Sequence, residues 1–211
     1  MTRWRMSVYD LALGGGRVVL PGPAWRFVYV LSGLVRARSE LGEEVADAES
    51  GLLTQGDVEL GGAAAAWLYE VDGTAASPCV GEGLSVTLSV AFELPDGPRL
   101  IRADRVETPP GIISPRHGHR GPGIRRLLHG RIQAEIGEEH RRIEAGQAWF
   151  EGGHDPVVGT NISQGHNSFV RVMLLPPELA GGVSSFVPMS QERAGRPSAV
   201  KSTVLAEAII G

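Results

Sequence analysis

Short apolar runs, each stopped by glycine, proline or a polar turn, recur along the whole chain. This pattern predicts strands: a half-buried strand needs apolar side chains at every second position, and turns must follow at short intervals. GRVVL predicts a strand, followed by the turn-rich PGPA. WRFVYVLSG predicts an apolar, aromatic strand ended by Gly33. LVRARSEL, EVADAES and GLLTQGDVEL follow at strand length. AAAAWLYEV fits a strand or, given its alanine run, a short helix. LSVTLSVAFEL alternates and predicts a strand.

The second half repeats the theme. RLIRADRVE and GIIS lead into a histidine-rich stretch, PRHGHRGPG. GIRRLLHGRIQAEI predicts a strand, a glycine break and another strand, and GEEH a turn that leaves His140 in solvent. RRIEAGQAWFEGG predicts another glycine-broken pair. PVVGTNIS and SFVRVMLLPP follow, the latter with only partial alternation, as in a strand buried on both faces. The tail SAVKSTVLAEAIIG predicts an edge strand that returns to its own sheet or swaps onto a partner chain, with a helix as the alternative.

The two halves line up. FVYVLSG, ending at Gly33, matches IRRLLHG, ending at Gly130, and LLTQGD around Gly56 matches RIEAGQ around Gly146. Two similar β domains in tandem fit 211 residues, with the boundary in the Pro/Gly-rich LPDGPR: residues 1–95 and 96–211. Charge separates them as well. Residues 1–95 hold 6 Lys and Arg against 12 Asp and Glu, whereas residues 96–211 hold 14 against 12. That balance, with few aromatics, argues against a nucleic-acid partner. The single cysteine, Cys79, excludes an intramolecular disulfide and a cysteine-based zinc site. The start MTRWRMSVYD lacks the apolar stretch of a signal peptide and no run reaches membrane-span length, so the expected location is the cytoplasm, with no membrane partner.

The candidate chemistry lies between Pro115 and Gly123. On an extended strand, His117 and His119 point to the same side, and two imidazoles aimed at one point begin a metal site. Glu151, His154 and His166 are the nearest further ligands in the pattern.

These residues resemble the cupin superfamily, as a bicupin. Gly111, His117, His119, Gly123 and Gly130 fall at the spacings of the first cupin motif, with Gly123 where the family has a glutamate. Gly146 and Asn161 frame the second motif, whose proline, glycine and histidine positions hold Gly152, His154 and Val157. In the first half, Gly14, Leu20, Gly22, Arg26 and Gly33 keep the frame and lose all three ligand positions of the first motif. Gly56 opens the second motif there, and Trp67 stands at its histidine position.

The resemblance implies an all-β chain of two tandem double-stranded β-helix, or jelly-roll, barrels. The first would be a degenerate scaffold without metal. In the family a metal is held by three histidines and a glutamate. Here it implies one divalent ion (zinc, nickel, manganese or iron) on His117 and His119, completed by Glu151 or His154. Glu151 is also the expected general base. If Gly123 marks an inward position, alternation turns Arg125, Leu127 and His129 inward too. Arg125 and His129, with Trp149, then line a cationic pocket for a carboxylate or phosphate. The competing expectation pairs Arg125 with Glu135 or Glu151. The fold permits oxygenase or isomerase chemistry on a small polar ligand, and equally a non-catalytic, ligand-sensing or structural homodimer with a vestigial site.

Overall fold

The computed structural model describes residues 1–40, 42–74, 76–189 and 199–211. Leu41, which ends LVRARSEL, and Ser198, which begins the tail segment, lie outside the described residues. The chain divides into two compact units, Met1–Gly97 and Pro98–Gly211. Both are built of antiparallel strands, and among the described residues the only helix is a single 3-10 turn, Pro177–Leu179. No helix of the described residues is long and apolar enough to cross a membrane.

The first unit is one sheet. Its strands are β1 (Thr2–Leu20), β2 (Trp25–Ser39), β3 (Gly42–Asp47), β4 (Gly51–Gln55), β5 (Val58–Asp72) and β6 (Leu84–Leu94). Their order is β3-β2-β5-β1-β6, with β4 also paired to β2. AAAAWLYEV is strand throughout, within β5. Gly33 does not end its strand. The chain passes through it at φ 80°, the β2–β5 register shifts between Val30 and Ser32, and pairing resumes as far as Ser39. A bulge bends a strand without terminating it, so WRFVYVLSG and most of LVRARSEL form one bent ribbon. Gly33 is required there, since a Cβ would collide with the Ala63 carbonyl oxygen. The interior is packed with Tyr9, Leu11, Val28, Val30, Leu60 and Leu68, all buried.

The second unit is two five-stranded sheets. Its strands are β7 (Arg99–Thr108), β8 (His117–His119), β9 (Gly123–His129), β10 (Arg131–Ile136), β11 (Glu139–Glu144), β12 (Ala148–Glu151), β13 (Val157–Asn161), β14 (Asn167–Leu175), β15 (Phe186–Pro188) and β16 (Lys201–Ile210). One sheet runs β11-β10-β13-β8-β15 and the other β12-β9-β14-β7-β16. His140 is strand rather than turn, though exposed as expected. The tail is β16, which pairs with β7 of its own chain at the edge of the second sheet. GIIS contributes only a bridge, Ile113 to Thr160.

Candidate ligand-binding site

Side chains from both sheets of the second unit line a cavity of about 120 Å³. That is well below the roughly 300–1,000 Å³ of pockets for drug-sized ligands, so the space suits a small molecule. His117 and His119 enter it from β8, Arg125 from β9, Trp149 and Glu151 from β12, Asn167 and Arg171 from β14.

Strand register explains the charge at the cavity wall. Across the second sheet, Trp149 lies opposite Arg125, Arg125 opposite Arg171, and Arg171 opposite Asp104. Two buried arginines directly opposite each other repel, and the arrangement persists only with counter-charges at hand. Glu151 supplies one: its Oε2 is 2.6 Å from Arg125 Nη2. Asp104 supplies the other, with Oδ2 3.0 Å from Arg171 Nε and 3.4 Å from Arg102 Nε. Among the described residues that line the cavity, the charged ones are two guanidiniums, Arg125 and Arg171, and one carboxylate, Glu151. The pairing of Arg125 with Glu151 is the competing expectation drawn from the sequence. Burial pushes the Arg125 guanidinium down to about 10, with Glu151 opposing that shift, so it stays a cation at neutral pH.

Arg171 spends its Nε on Asp104, and its Nη groups have no partner among the described residues. Asn167, 2 % exposed, also lines the cavity, and its Oδ1 is buried without a hydrogen bond among the described residues.

The two histidines are held from behind. His117 Nδ1 is 2.9 Å from the Pro115 carbonyl oxygen, to which it can only donate, so in the neutral ring Nε2 carries the lone pair. Its ring stacks on Phe186 at 4.5 Å and meets His119 edge-on at 5.0 Å. His119 Nδ1 lies 3.2 Å from Ser185 Oγ, and its Nε2 lies 3.5 Å from Glu151 Oε2. Glu151 Oε1 accepts a hydrogen bond from Trp149 Nε1 at 2.8 Å. Trp149 packs edge-on against Phe169 at 5.3 Å.

Burial lowers the His117 pKa below its ordinary 6.5, which predicts a pH effect on stability. The unfolded ring takes up a proton more readily than the folded one, so stability falls as the pH drops through the unfolded value toward the folded one. Urea midpoints of the second unit should fall on acidification from about pH 7.5 to 5, and His117→Gln should flatten part of that slope. A slope that the substitution leaves unchanged would remove His117 as its source.

Not every residue expected from the sequence reaches this cavity. His117, His119, Arg125, Trp149 and Glu151 line it. His129 is exposed at the end of β9, because the β9–β14 register shifts between Ser168 and Phe169 and breaks the alternation that would have turned it inward. His154 and His166 are exposed and lie outside the lining. Arg171 and Asn167 are the residues that sequence reasoning missed. A signal existed for the first: it is the single charge in the apolar run SFVRVMLL, and a lone charge there must face a partner or a cavity.

A metal does not fit this donor set. Among the described residues no group of three His, Cys, Asp or Glu side chains is placed to hold an ion. Glu151, the carboxylate beside the histidines, already has one oxygen on Trp149 and the other against Arg125. The frame's remaining ligand positions hold Gly123 and Val157, which have no donor side chain.

No protein-family model matches the chain, and no curated protein is similar to it in sequence. Solved structures are similar in fold. An oxalate decarboxylase mutant from Bacillus subtilis superposes with a TM-score of 0.63 at 10% identity, over 87% of this chain and 71% of that one. A cupin 2 conserved barrel domain protein from Leptotrichia buccalis gives 0.53 at 13% identity, over 82% and 84%. A salicylate 1,2-dioxygenase from Pseudaminobacter salicylatoxidans gives 0.54 at 12% identity, over 97% and 75%.

Proposed function

This chain has the cupin fold, and on that premise we propose that its second unit binds a small organic anion, a carboxylate, in the cavity between its two sheets. The observation that carries this reading is the charge imbalance at the cavity wall. Arg125 and Arg171 line the cavity with Glu151 as the one carboxylate among the described lining residues, and the Nη groups of Arg171 have no partner among the described residues. A buried excess of positive charge is costly, and a bound carboxylate offsets it through charge-assisted hydrogen bonds. Asn167 Oδ1 offers an acceptor to a hydroxyl on the same ligand, and Trp149, Phe169 and Ile132 supply apolar wall. His117 Nε2 presents a lone pair to the bound molecule. In this reading Glu151 orients His119 and balances Arg125, and does not itself contact the ligand.

The test is a binding panel of small mono- and dicarboxylates with their uncharged amides, followed by thermal shift and calorimetry. Carboxylates should bind and the amides should not. Arg171→Gln should weaken binding about 10- to 100-fold, the worth of a charge-assisted hydrogen bond. Arg171→Lys should recover only part of it, because an ammonium cannot grip a carboxylate with two parallel bonds. Equal binding of acids and amides, or an Arg171→Gln variant that binds as tightly as the parent, would overturn the reading.

A further inference from the structure

We infer that the Arg125 guanidinium is the resident cation of this site, standing where a metal ion would need to be, so that the pocket works without a metal. This inference does not depend on which anion the cavity takes.

His117, His119 and Glu151 are the three donors that chain pattern and fold bring to one wall. Three protein ligands are the minimum for a metal site that keeps an open position. The rings of His117 and His119 are 5.0 Å apart, and His119 Nε2 is 3.5 Å from Glu151 Oε2. What spoils the set is Arg125. Its Nη2 lies 2.6 Å from that same oxygen, and its Nη1 donates to the Gly123 carbonyl oxygen at 2.6 Å. The side chain is 1 % exposed, so it has no solvent position to swing into. A divalent ion on Glu151 Oε2 would have to sit against a buried guanidinium, with Arg171 opposite it in the next strand. Repulsion between such charges is strong in a dry interior.

The chain also has no alternative carboxylate to offer from the frame position at Gly123. A Cβ there would meet Val172 O at 2.6 Å and Met173 Cγ at 2.7 Å, so a longer side chain cannot be restored without shifting backbone. Val157, at the frame's other vacant position, is buried opposite His117. The site is therefore built around an arginine–glutamate pair, and only with Arg125 removed would Glu151 be free to converge with His117 and His119 on an ion.

The experiment measures metal uptake by the full chain. Wild-type protein and Arg125→Met are incubated with zinc or nickel, dialysed and analysed for bound metal, with calorimetry alongside. Wild type should retain no stoichiometric metal. Arg125→Met should retain one ion per chain, losing it when His119→Ala or Glu151→Gln is added, and the metal should raise the melting temperature of Arg125→Met only. Arg125→Lys keeps the positive charge and should stay metal-free. Stoichiometric metal in wild type that disappears with His117→Ala overturns the inference, and so does a folded Arg125→Met that takes up none. If Arg125→Met does not fold, Arg125→Gln carries the same expectation, and the wild-type measurement can still refute the inference alone. Failure of carboxylate binding would leave these outcomes untouched, so the two readings fail separately.

Discussion

Glu70→Ala is expected to destabilise the first unit by about 3–5 kcal/mol, the usual cost of leaving a buried charge without its partner. Arg26 is 1 % exposed and donates from Nε to Glu70 Oε2 at 2.9 Å. Its other nitrogens donate to carbonyl oxygens: Gly56 at 2.6 Å, Pro21 at 2.7 Å and Gly22 at 3.4 Å. Those dipoles hold the guanidinium in place, but they do not neutralise it. Glu70 also accepts from Tyr9 Oη at 3.0 Å and from the Cys79 thiol at 3.0 Å, so alanine strands two more donors. Burial, aided by Glu70, raises the Tyr9 pKa and pushes the Cys79 thiol up to about 11, so both stay protonated as donors. Urea unfolding followed by tryptophan fluorescence reads this unit through Trp4, Trp25 and Trp67. Glu70→Leu combined with Arg26→Met should recover most of the loss, because removing both charges removes the desolvation penalty with them. A midpoint unmoved by Glu70→Ala would show that the carbonyl cage alone holds Arg26.

That network also shows what was legible in the chain. The glycine frame could be read because its physics is local. Gly33 and Gly130, and Gly56 and Gly146, all adopt positive φ, which side chains other than glycine rarely do. His117, His119 and Arg125, read from that frame, line the cavity. The frame also marked Arg26 as a departure from the ligand pattern, without revealing that Glu70, 44 residues away, answers it. Partner choice is a long-range fact, and nothing around Arg171 points to Asp104, 67 residues earlier. His129 failed for the opposite reason. Alternation is a local rule that holds only until the first bulge, and the register shift at Ser168–Phe169 comes before it. The long first strand went unseen because MTRWRMSVYD was informative only as a possible leader, whereas its residues pair with both β5 and β6.

In the second unit, Glu151→Ala should cost a similar 3–5 kcal/mol, with an added signature that the first unit lacks. Without Glu151, Arg125 keeps one hydrogen bond, to the Gly123 carbonyl oxygen, and Trp149 Nε1 loses its acceptor. The cavity lining then holds the guanidiniums of Arg125 and Arg171 with no carboxylate among the described lining residues, so its excess positive charge doubles. An anion that enters the cavity would restore the lost counter-charge. Sulfate or phosphate at millimolar concentration should therefore raise the melting temperature of Glu151→Ala more than that of wild type, by the mass-action effect of a ligand that binds only the folded state. Sodium chloride at matched ionic strength should do less, since screening is weak for buried charges. Glu151→Leu with Arg125→Met should lose the instability and return the anion response to the wild-type level, because it leaves Arg171 as the one charge among the described lining residues, the wild-type excess of one. If Glu151→Ala were unstable but no more responsive to anions than wild type, its buried positive charge would be reaching solvent or an undetected partner. The cavity wall would then not be the electrostatic trap that makes it a carboxylate site.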